Sequence, residues 1–310
     1  MVSQALAGSL HLAGVDVMLD GANAEAVLLA SDIAMYRSKA QGKHQVTGFD
    51  ASLREASELR LVYPPLLKPD GRIAAAEALV RWQHPQRGFI SPADFIPVAE
   101  SSGLIVELGA WVLAEAACQV VRWTQAGLPA VNVAVNVSPR QLRGGVLIAQ
   151  YRQALGAAGC DARHLSIELT EDSLVEDIDE NTQQLLALRA LGAQIAIDDF
   201  GTGQSSLSCM KRLPVDKLTI DQSFVAGLPD DRGDRAIVAA ALSMAHALGL
   251  QVVAEGLETE AQCQWLCAIG GNLLQGYHFS RPVPADAFAA LLRQQVAPPT
   301  ATPPMVTAIA

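Results

Sequence analysis

From residue 59 to about 294, short apolar runs alternate with longer stretches of helical period. Runs rich in Val, Ile, Leu and Ala cover 59–66, 73–80, 131–136, 164–169, 193–198, 215–220, 250–255 and 272–276, each of strand length. Between and after them, 104–126, 147–158, 181–191, 234–248, 260–269 and 285–295 place apolar residues at helical spacing. Ser91-Pro92 has the form of an N-cap followed by a first-turn proline, and Gly192 and Gly249 stand where helices should stop. Eight strands alternating with helices predict an α/β fold, a closed (β/α)8 barrel rather than an open sheet. One connection breaks the pattern. Leu67-Lys68-Pro69-Asp70-Gly71 is too short for a parallel crossover, so the first two strands are expected to form an antiparallel hairpin.

The flanks differ from this middle. Residues 1–50 hold one strand-like stretch at 10–19, an Asp20-Gly21 turn and a helical pattern over 24–40 through Val27, Leu28, Ala30, Ile33, Ala34 and Tyr36. That piece is too small to bury a core alone and reads as part of a domain. A short link, 51–58, joins it to the barrel domain at 59–296. The tail at 297–310 is made of proline, alanine, threonine and a few aliphatic residues without charge, and is expected to be disordered.

Composition narrows the function. Half the residues are hydrophobic and 17% are charged, which excludes a disordered chain. With 22 Lys plus Arg against 32 Asp plus Glu, the net charge is −10, and no basic run appears. Such a chain does not attract a nucleic-acid polymer by phosphate neutralisation. A phosphate ligand would need local arginines or metal ions. No run of 18 apolar residues predicts a membrane span, and the first residues lack the features of a signal peptide. Cys118, Cys160, Cys209, Cys263 and Cys267 are odd in number and scattered, and read as buried or incidental thiols of a reducing, cytoplasmic setting. His84, His246 and His278 lack ligand spacing and read as structural.

In such a barrel the reactive groups gather at the C-terminal ends of the strands. Those ends carry Glu77 with Arg81 following, Asn136, Glu168 with Glu171 following, Asp198-Asp199, Thr219-Ile220-Asp221, Glu255 and Gln275. Charges inside apolar strands are costly unless paired or metal-bound, and Arg81 and Lys217 are too few to neutralise these acids. An all-oxygen set of Asp, Glu and Asn suits Mg2+ or Mn2+ rather than zinc. Adjacent Asp198 and Asp199 could serve two ions ~4 Å apart, the spacing of two-metal phosphodiester chemistry. Plainer readings stand beside these. Asp221 and Glu171 could be helix N-caps, Arg81 an ion-pair partner, and the segment from Phe200 to Ser206 a simple connector rather than a mobile lid.

These residues also carry a resemblance. Glu77-Ala78-Leu79-Val80-Arg81, Asn136-Val137-Ser138, Glu168-Leu169-Thr170-Glu171 and Asp198-Asp199-Phe200-Gly201-Thr202-Gly203 resemble the motifs of the EAL-domain family, the cyclic di-GMP phosphodiesterases. The likeness continues through Lys211-Arg212-Leu213-Pro214-Val215-Asp216-Lys217-Leu218, Glu255-Gly256-Leu257-Glu258-Thr259 and Gln275-Gly276-Tyr277, in order, from about 59 to 293. The resemblance implies a modified barrel with an antiparallel first strand and hydrolysis of cyclic di-GMP to linear pGpG with Mg2+ or Mn2+. By that implication Glu77, Asn136, Glu168 and Asp198 hold one metal and Asp199 helps hold a second. Glu255 orients the attacking water or its hydrogen bonds. Arg81, Leu79, Gln275 and Asp221 meet the substrate, and the segment after Asp199 couples the site to a homodimer interface. The segment 31–43, Ser31-Asp32-Ile33-Ala34-Met35-Tyr36-Arg37-Ser38-Lys39-Ala40-Gln41-Gly42-Lys43, resembles the end of a GGDEF diguanylate-cyclase domain. The GGDEF signature is absent, so cyclase activity is not expected.

Two positions depart from the pattern. Thr219 stands where the family has a lysine thought to position or activate the attacking water, and Lys217 lies ~7 Å lower on the same strand face. Pro64, in Tyr63-Pro64-Pro65, replaces a ligand-contacting glutamine and offers neither side-chain donor nor acceptor. Three functions follow: a phosphodiesterase slowed by Thr219, a receptor that binds cyclic di-GMP without hydrolysis, and an interaction module with neither ligand nor metal.

Overall fold

The structure, a computed structural model, describes residues 9–12, 15–18, 59–84, 87–175, 178–201 and 212–296. The expected helix at 24–40, the GGDEF-like segment 31–43, the link 51–58, the segment from Thr202 to Ser206, Cys209 and the tail at 297–310 lie outside the described residues. The strand-like stretch at 10–19 is a hairpin, β1 (Ser9–Leu12) paired antiparallel with β2 (Val15–Met18).

The barrel follows. Its strands are β3 (Leu59–Tyr63), β4 (Pro65–Leu67), β5 (Ile73–His84), β6 (Gly88–Ile90), β7 (Asn132–Asn136), β8 (Leu165–Thr170), β9 (Gln194–Phe200), β10 (Lys217–Ile220), β11 (Gln251–Ala254), β12 (Leu273–Leu274) and β13 (Val283–Pro284). Eight of them close a ring in the order β5, β7, β8, β9, β10, β11, β12, β4 and back to β5. Neighbours are parallel except at β4, which runs antiparallel to both β5 and β12. The short turn after Leu67 thus makes the antiparallel hairpin that its length requires.

The run at 59–66 is two strands, not one. Pro64 interrupts it, because proline lacks the N–H that a continuous ladder would use. β4 stays in the ring against Pro65↔Ala76 and Leu66↔Ala75, while β3 pairs with the outer half of β5 from Leu59↔Trp82 to Val62↔Leu79. β6 and β13 complete a second small sheet, in the order β13, β3, β5, β6. β5 therefore belongs to both sheets. The ring's seam is narrow: β12 and β4 are aligned at one pair, Leu274↔Leu67.

Alternation along the strands sorts the core. On β8, Leu165, Ile167 and Leu169 are fully buried against the helices, while Ser166 and Glu168 face the lumen. Helices Ile105–Gln125, Val146–Ala158, Ile178–Ala190 and Arg232–Ala247 supply Leu113, Leu147, Tyr151, Leu185, Leu188 and Val238 to the outer layer. Gly192 and Gly249 end their helices with positive φ, as expected. Ser91 occupies the N-cap position of Pro92–Ser102, although its hydroxyl makes no capping bond. The lumen floor is apolar on one side, at Leu66, Ala75, Val253 and Leu273, and polar on the other. There Asn132 Oδ1 accepts from Ser166 Oγ at 2.6 Å and from Lys217 Nζ at 3.4 Å.

Gly276 shows how closely the last strand is drawn in. The Leu257 N–H donates to the Gln275 carbonyl at 3.0 Å, the His278 N–H donates to the Leu257 carbonyl at 2.9 Å, and a Cβ on Gly276 would overlap the Leu257 backbone. Gly276→Ala is expected to lower stability by about 2 kcal/mol, the scale of overpacking against backbone. Urea unfolding followed by circular dichroism checks this, and an unchanged midpoint would refute it.

Candidate active site

The ends of seven ring strands converge on one mouth. Glu77, on the lumen face of β5, is its most tightly held member. Its Oε1 accepts from Asn136 Nδ2 at 2.6 Å and its Oε2 from Gln275 Nε2 at 3.1 Å. Its backbone N–H reaches the Pro64 carbonyl at 3.3 Å, which places the buried Pro64 ring beside the mouth. Asn136 ends β7, and Gln275 follows β12 and is itself buried. Two neutral amides thus fix one carboxylate from opposite sides.

The other acids surround it. Glu168 is buried on β8, in register with Asn136 on one side and Ala196 on the other. Asp198 and Asp199 end β9, and Asp199 has φ 55, an uncommon value for a residue with a side chain. With that left-handed turn, the Asp199 N–H donates to Asp198 Oδ1 at 2.9 Å. Glu255, just past β11, donates its backbone N–H to the Ile220 carbonyl at 3.2 Å and is partly buried.

Their electrostatics are those of crowded like charges. Burial raises Glu77, and Asp199 adds to the rise, while the bonds from Gln275 and Asn136 and the Arg81 charge oppose it. Burial, then Glu77 and Asp198, hold Glu168 well above the ordinary carboxylate range. Burial, then Glu77 and Asp199, push Asp198 up to about 7. Glu255 is also held well above its ordinary value, by burial and then by Glu77, Asp198, Glu168 and Asp199. Asp199 rises through burial and the Asp221 beside it.

The sequence-predicted positions fall as follows. Leu79 and Arg81 continue the face of Glu77 along β5 into the side sheet, and both are half-buried. Arg81 donates to the Val80 carbonyl at 2.9 Å, and its charge is felt at Glu77. Asp221 is an N-cap, since its Oδ1 accepts from the Ser223 N–H at 2.9 Å, and it also bonds Asp199. Glu171 does more than open the helix Glu171–Val175. It is buried, and its Oε2 accepts from the Gly201 N–H at 2.9 Å, which ties down the start of the segment after β9. Sequence reading gave Glu171 no such role, and the Thr170-Glu171 spacing alone carries no signal of it. Thr219 is buried in β10, and Lys217 sits one step lower, with its charge opposing the rise at Glu168. Burial lowers Lys217 itself, and Glu168 and Asp216 resist this. His84 packs on Trp82 with ring centroids 5.7 Å apart, and His278 pairs with Glu260 at 3.0 Å, both structural.

Among the described residues, no three His, Cys, Asp or Glu side chains stand close enough together to enclose a metal ion as placed. The donor chemistry nevertheless fits a divalent cation. The donors are oxygens of Asp, Glu and Asn, and the carboxylates are raised first by burial and then by one another's charge, a rise that Lys217 opposes at Glu168.

A barrel with one antiparallel strand and an acid-lined mouth defines the class, and the family profile for the EAL domain matches residues 50–282. The chain belongs to the EAL domain family. It is 40% identical over 289 residues to MucR of Pseudomonas aeruginosa, a bifunctional diguanylate cyclase/cyclic di-GMP phosphodiesterase, covering 87% of this chain and 42% of MucR. It is 38% identical over 285 residues to the cyclic di-GMP phosphodiesterase PdeR of Escherichia coli, covering 86% of this chain and 43% of PdeR. A solved structure of the PaMucR phosphodiesterase in complex with c-di-GMP superposes with a TM-score of 0.73 at 43% identity, covering 76% of this chain and 96% of that one. The chain thus spans less than half the length of these two curated relatives.

The raised acids set a pH dependence of stability. Asp198 ionises near 3.8 when unfolded and near 7 when folded, so between these values the folded state binds more protons. Raising the pH through this window therefore removes stability, and the loss is complete above about 7. In chelator, the thermal midpoint of the wild type is expected to fall from pH 4.5 to 8, and that of Asp198→Asn to fall less. Parallel curves by scanning calorimetry would contradict this.

Proposed function

We propose that this chain binds cyclic di-GMP at the acidic mouth and hydrolyses it to linear pGpG with Mg2+ or Mn2+. The observation that carries the reading is Glu77, fixed by Asn136 and Gln275 and surrounded by carboxylates that burial and one another's charge raise above their ordinary range. The names of MucR and PdeR support hydrolysis over a purely receptive site.

Glu77, Asn136, Glu168 and Asp198 would hold one divalent ion, and Asp199 would help hold a second. When bound, such ions neutralise charge developing on the phosphodiester. The remaining work falls to the protein. Arg81 binds a phosphate oxygen, with Leu79 on the same strand face and Asp221 at the rim. Asn136 and Gln275 keep Glu77 from rotating. Glu255 orients the attacking water, whose oxygen displaces a ribose oxygen from phosphorus and opens the ring.

Thr219 gives a second reading, a receptor without turnover, because no amine stands at that place on β10. The same relatives do not favour it. A homodimer coupled through the segment after Asp199 rests on the family resemblance, and light scattering with and without nucleotide tests it. A cytoplasmic setting rests on the scattered cysteines. Of these, Cys118, Cys160, Cys263 and Cys267 are free thiols.

Hydrolysis by the purified chain in Mg2+ or Mn2+, resolved by chromatography, is expected to yield linear dinucleotide, and Glu77→Ala to abolish it. Thr219→Lys is expected to raise the rate by about 10²-fold, the usual worth of one preorganised charged group. No product in either metal, with nucleotide binding intact, would leave the receptor.

A further inference from the structure

Gln262 lies outside the acid cluster, yet it is only 4% exposed and both atoms of its amide are engaged. It is the third residue of the helix Glu260–Ala268 and completes a capping box with Thr259. Its Oε1 accepts from the Glu258 N–H at 2.8 Å and from the Thr259 N–H at 2.9 Å, and its own N–H donates to Thr259 Oγ1 at 3.3 Å. Its Nε2 serves a different segment. It donates to the Val225 carbonyl at 3.1 Å and to the Ala226 carbonyl at 3.5 Å, at the end of the helix Gln222–Val225 that Asp221 caps. Two N–H donors at the oxygen and two carbonyls at the nitrogen leave the amide one orientation.

One side chain therefore joins the segment after β11, which carries Glu255, to the segment after β10, which carries Asp221. These segments already touch. The Glu255 N–H donates to the Ile220 carbonyl at 3.2 Å, and Gly256, at φ 72, lies so near Gln222 that a Cβ there would stand 2.4 Å from the Gln222 Cβ. A cap alone does not require glutamine. Glutamate at the same place offers the same oxygen, and its charge suits the first turn of a helix. What an ionised glutamate lacks is the donor that reaches Val225 and Ala226. We propose that Gln262 is a positioning residue, whose amide clamps the Glu255 segment onto the Asp221 segment and so fixes the water-orienting group relative to the substrate rim. The consequence for turnover rests on the phosphodiesterase reading above, whereas the clamp itself does not.

The test uses the full chain. Gln262→Glu keeps the cap and removes the clamp, while Thr259→Ala weakens the cap and keeps the clamp. Hydrogen exchange without nucleotide reads the clamp. The Glu255 amide is expected to exchange about 10-fold faster in Gln262→Glu, the worth of one or two buried hydrogen bonds, and at the wild-type rate in Thr259→Ala. With Mg2+ and cyclic di-GMP, Gln262→Glu is expected to lower kcat about 10-fold with KM held within about twofold, since small misplacements of an orienting group act on the chemical step. Thr259→Ala is expected to leave both unchanged, although its thermal midpoint falls by about 2–4 °C for the weakened cap. Gln262→Met, which loses cap and clamp together, is read against Thr259→Ala and decides if Gln262→Glu does not fold. Wild-type exchange at Glu255 in the Gln262 variants would overturn the proposal, and so would an unchanged kcat in an enzyme that turns over. Equal acceleration in Thr259→Ala would assign the effect to the cap and overturn it too. A wild type that makes no product would sink the phosphodiesterase reading and leave the exchange rates to decide the clamp.

Discussion

Mutual repulsion of buried carboxylates is the constraint around which this barrel is arranged. Glu77, Glu168, Asp198, Asp199 and Glu255 each resist ionisation, through burial and, in every case, through a neighbouring acid as well. Such a set cannot be a source of stability, since each charge raises the cost of the next. The fold must be held elsewhere, and it is. Outward faces of the ring strands meet the helices in one continuous apolar layer, whose members on β8 are wholly shielded from solvent. The inward faces are left to chemistry.

Within the lumen, neutral and cationic groups are placed to make the crowding tolerable. Asn136 and Gln275 satisfy both oxygens of Glu77 without adding charge. Lys217, fixed at Asn132 below, eases Glu168 from a distance. At the bulge in β9, Asp199 takes a left-handed backbone conformation and bonds Asp221. Each of these arrangements relieves part of the strain and leaves the mouth acidic, which is the condition a cation-dependent site requires.

Periodicity in the sequence was enough to find the ring. Eight apolar runs and the short turn after Leu67 specify both the strand count and the antiparallel β4, because connection length alone forbids a crossover there. Reading strand ends brought Glu77, Glu168, Asp198 and Glu255 together for the same reason: parallel strands present their C-terminal ends to one side. Features that depend on partners were not legible. The division at Pro64 into two sheets, the pairing of β13 with β3, the bulge against Thr219 and the bond from Gly201 to Glu171 all join residues distant in sequence. A pattern of hydrophobicity carries no information about register. Nor could it tell that Asp221 is both an N-cap and a neighbour of Asp199, since either role calls for the same residue type.

The ring is not equally strong around its circumference. Most neighbouring strands share several aligned pairs, whereas β12 meets β4 at Leu274↔Leu67 alone. A closed barrel with one thin stave joint has a preferred place to breathe, and local opening starts where the fewest backbone bonds must break. Gln275 follows that joint directly and grips Glu77. The part of the wall that yields first is therefore attached to one of the two amides that keep the central carboxylate in place. Loosening of the wall and loss of order in the acid cluster become a single event.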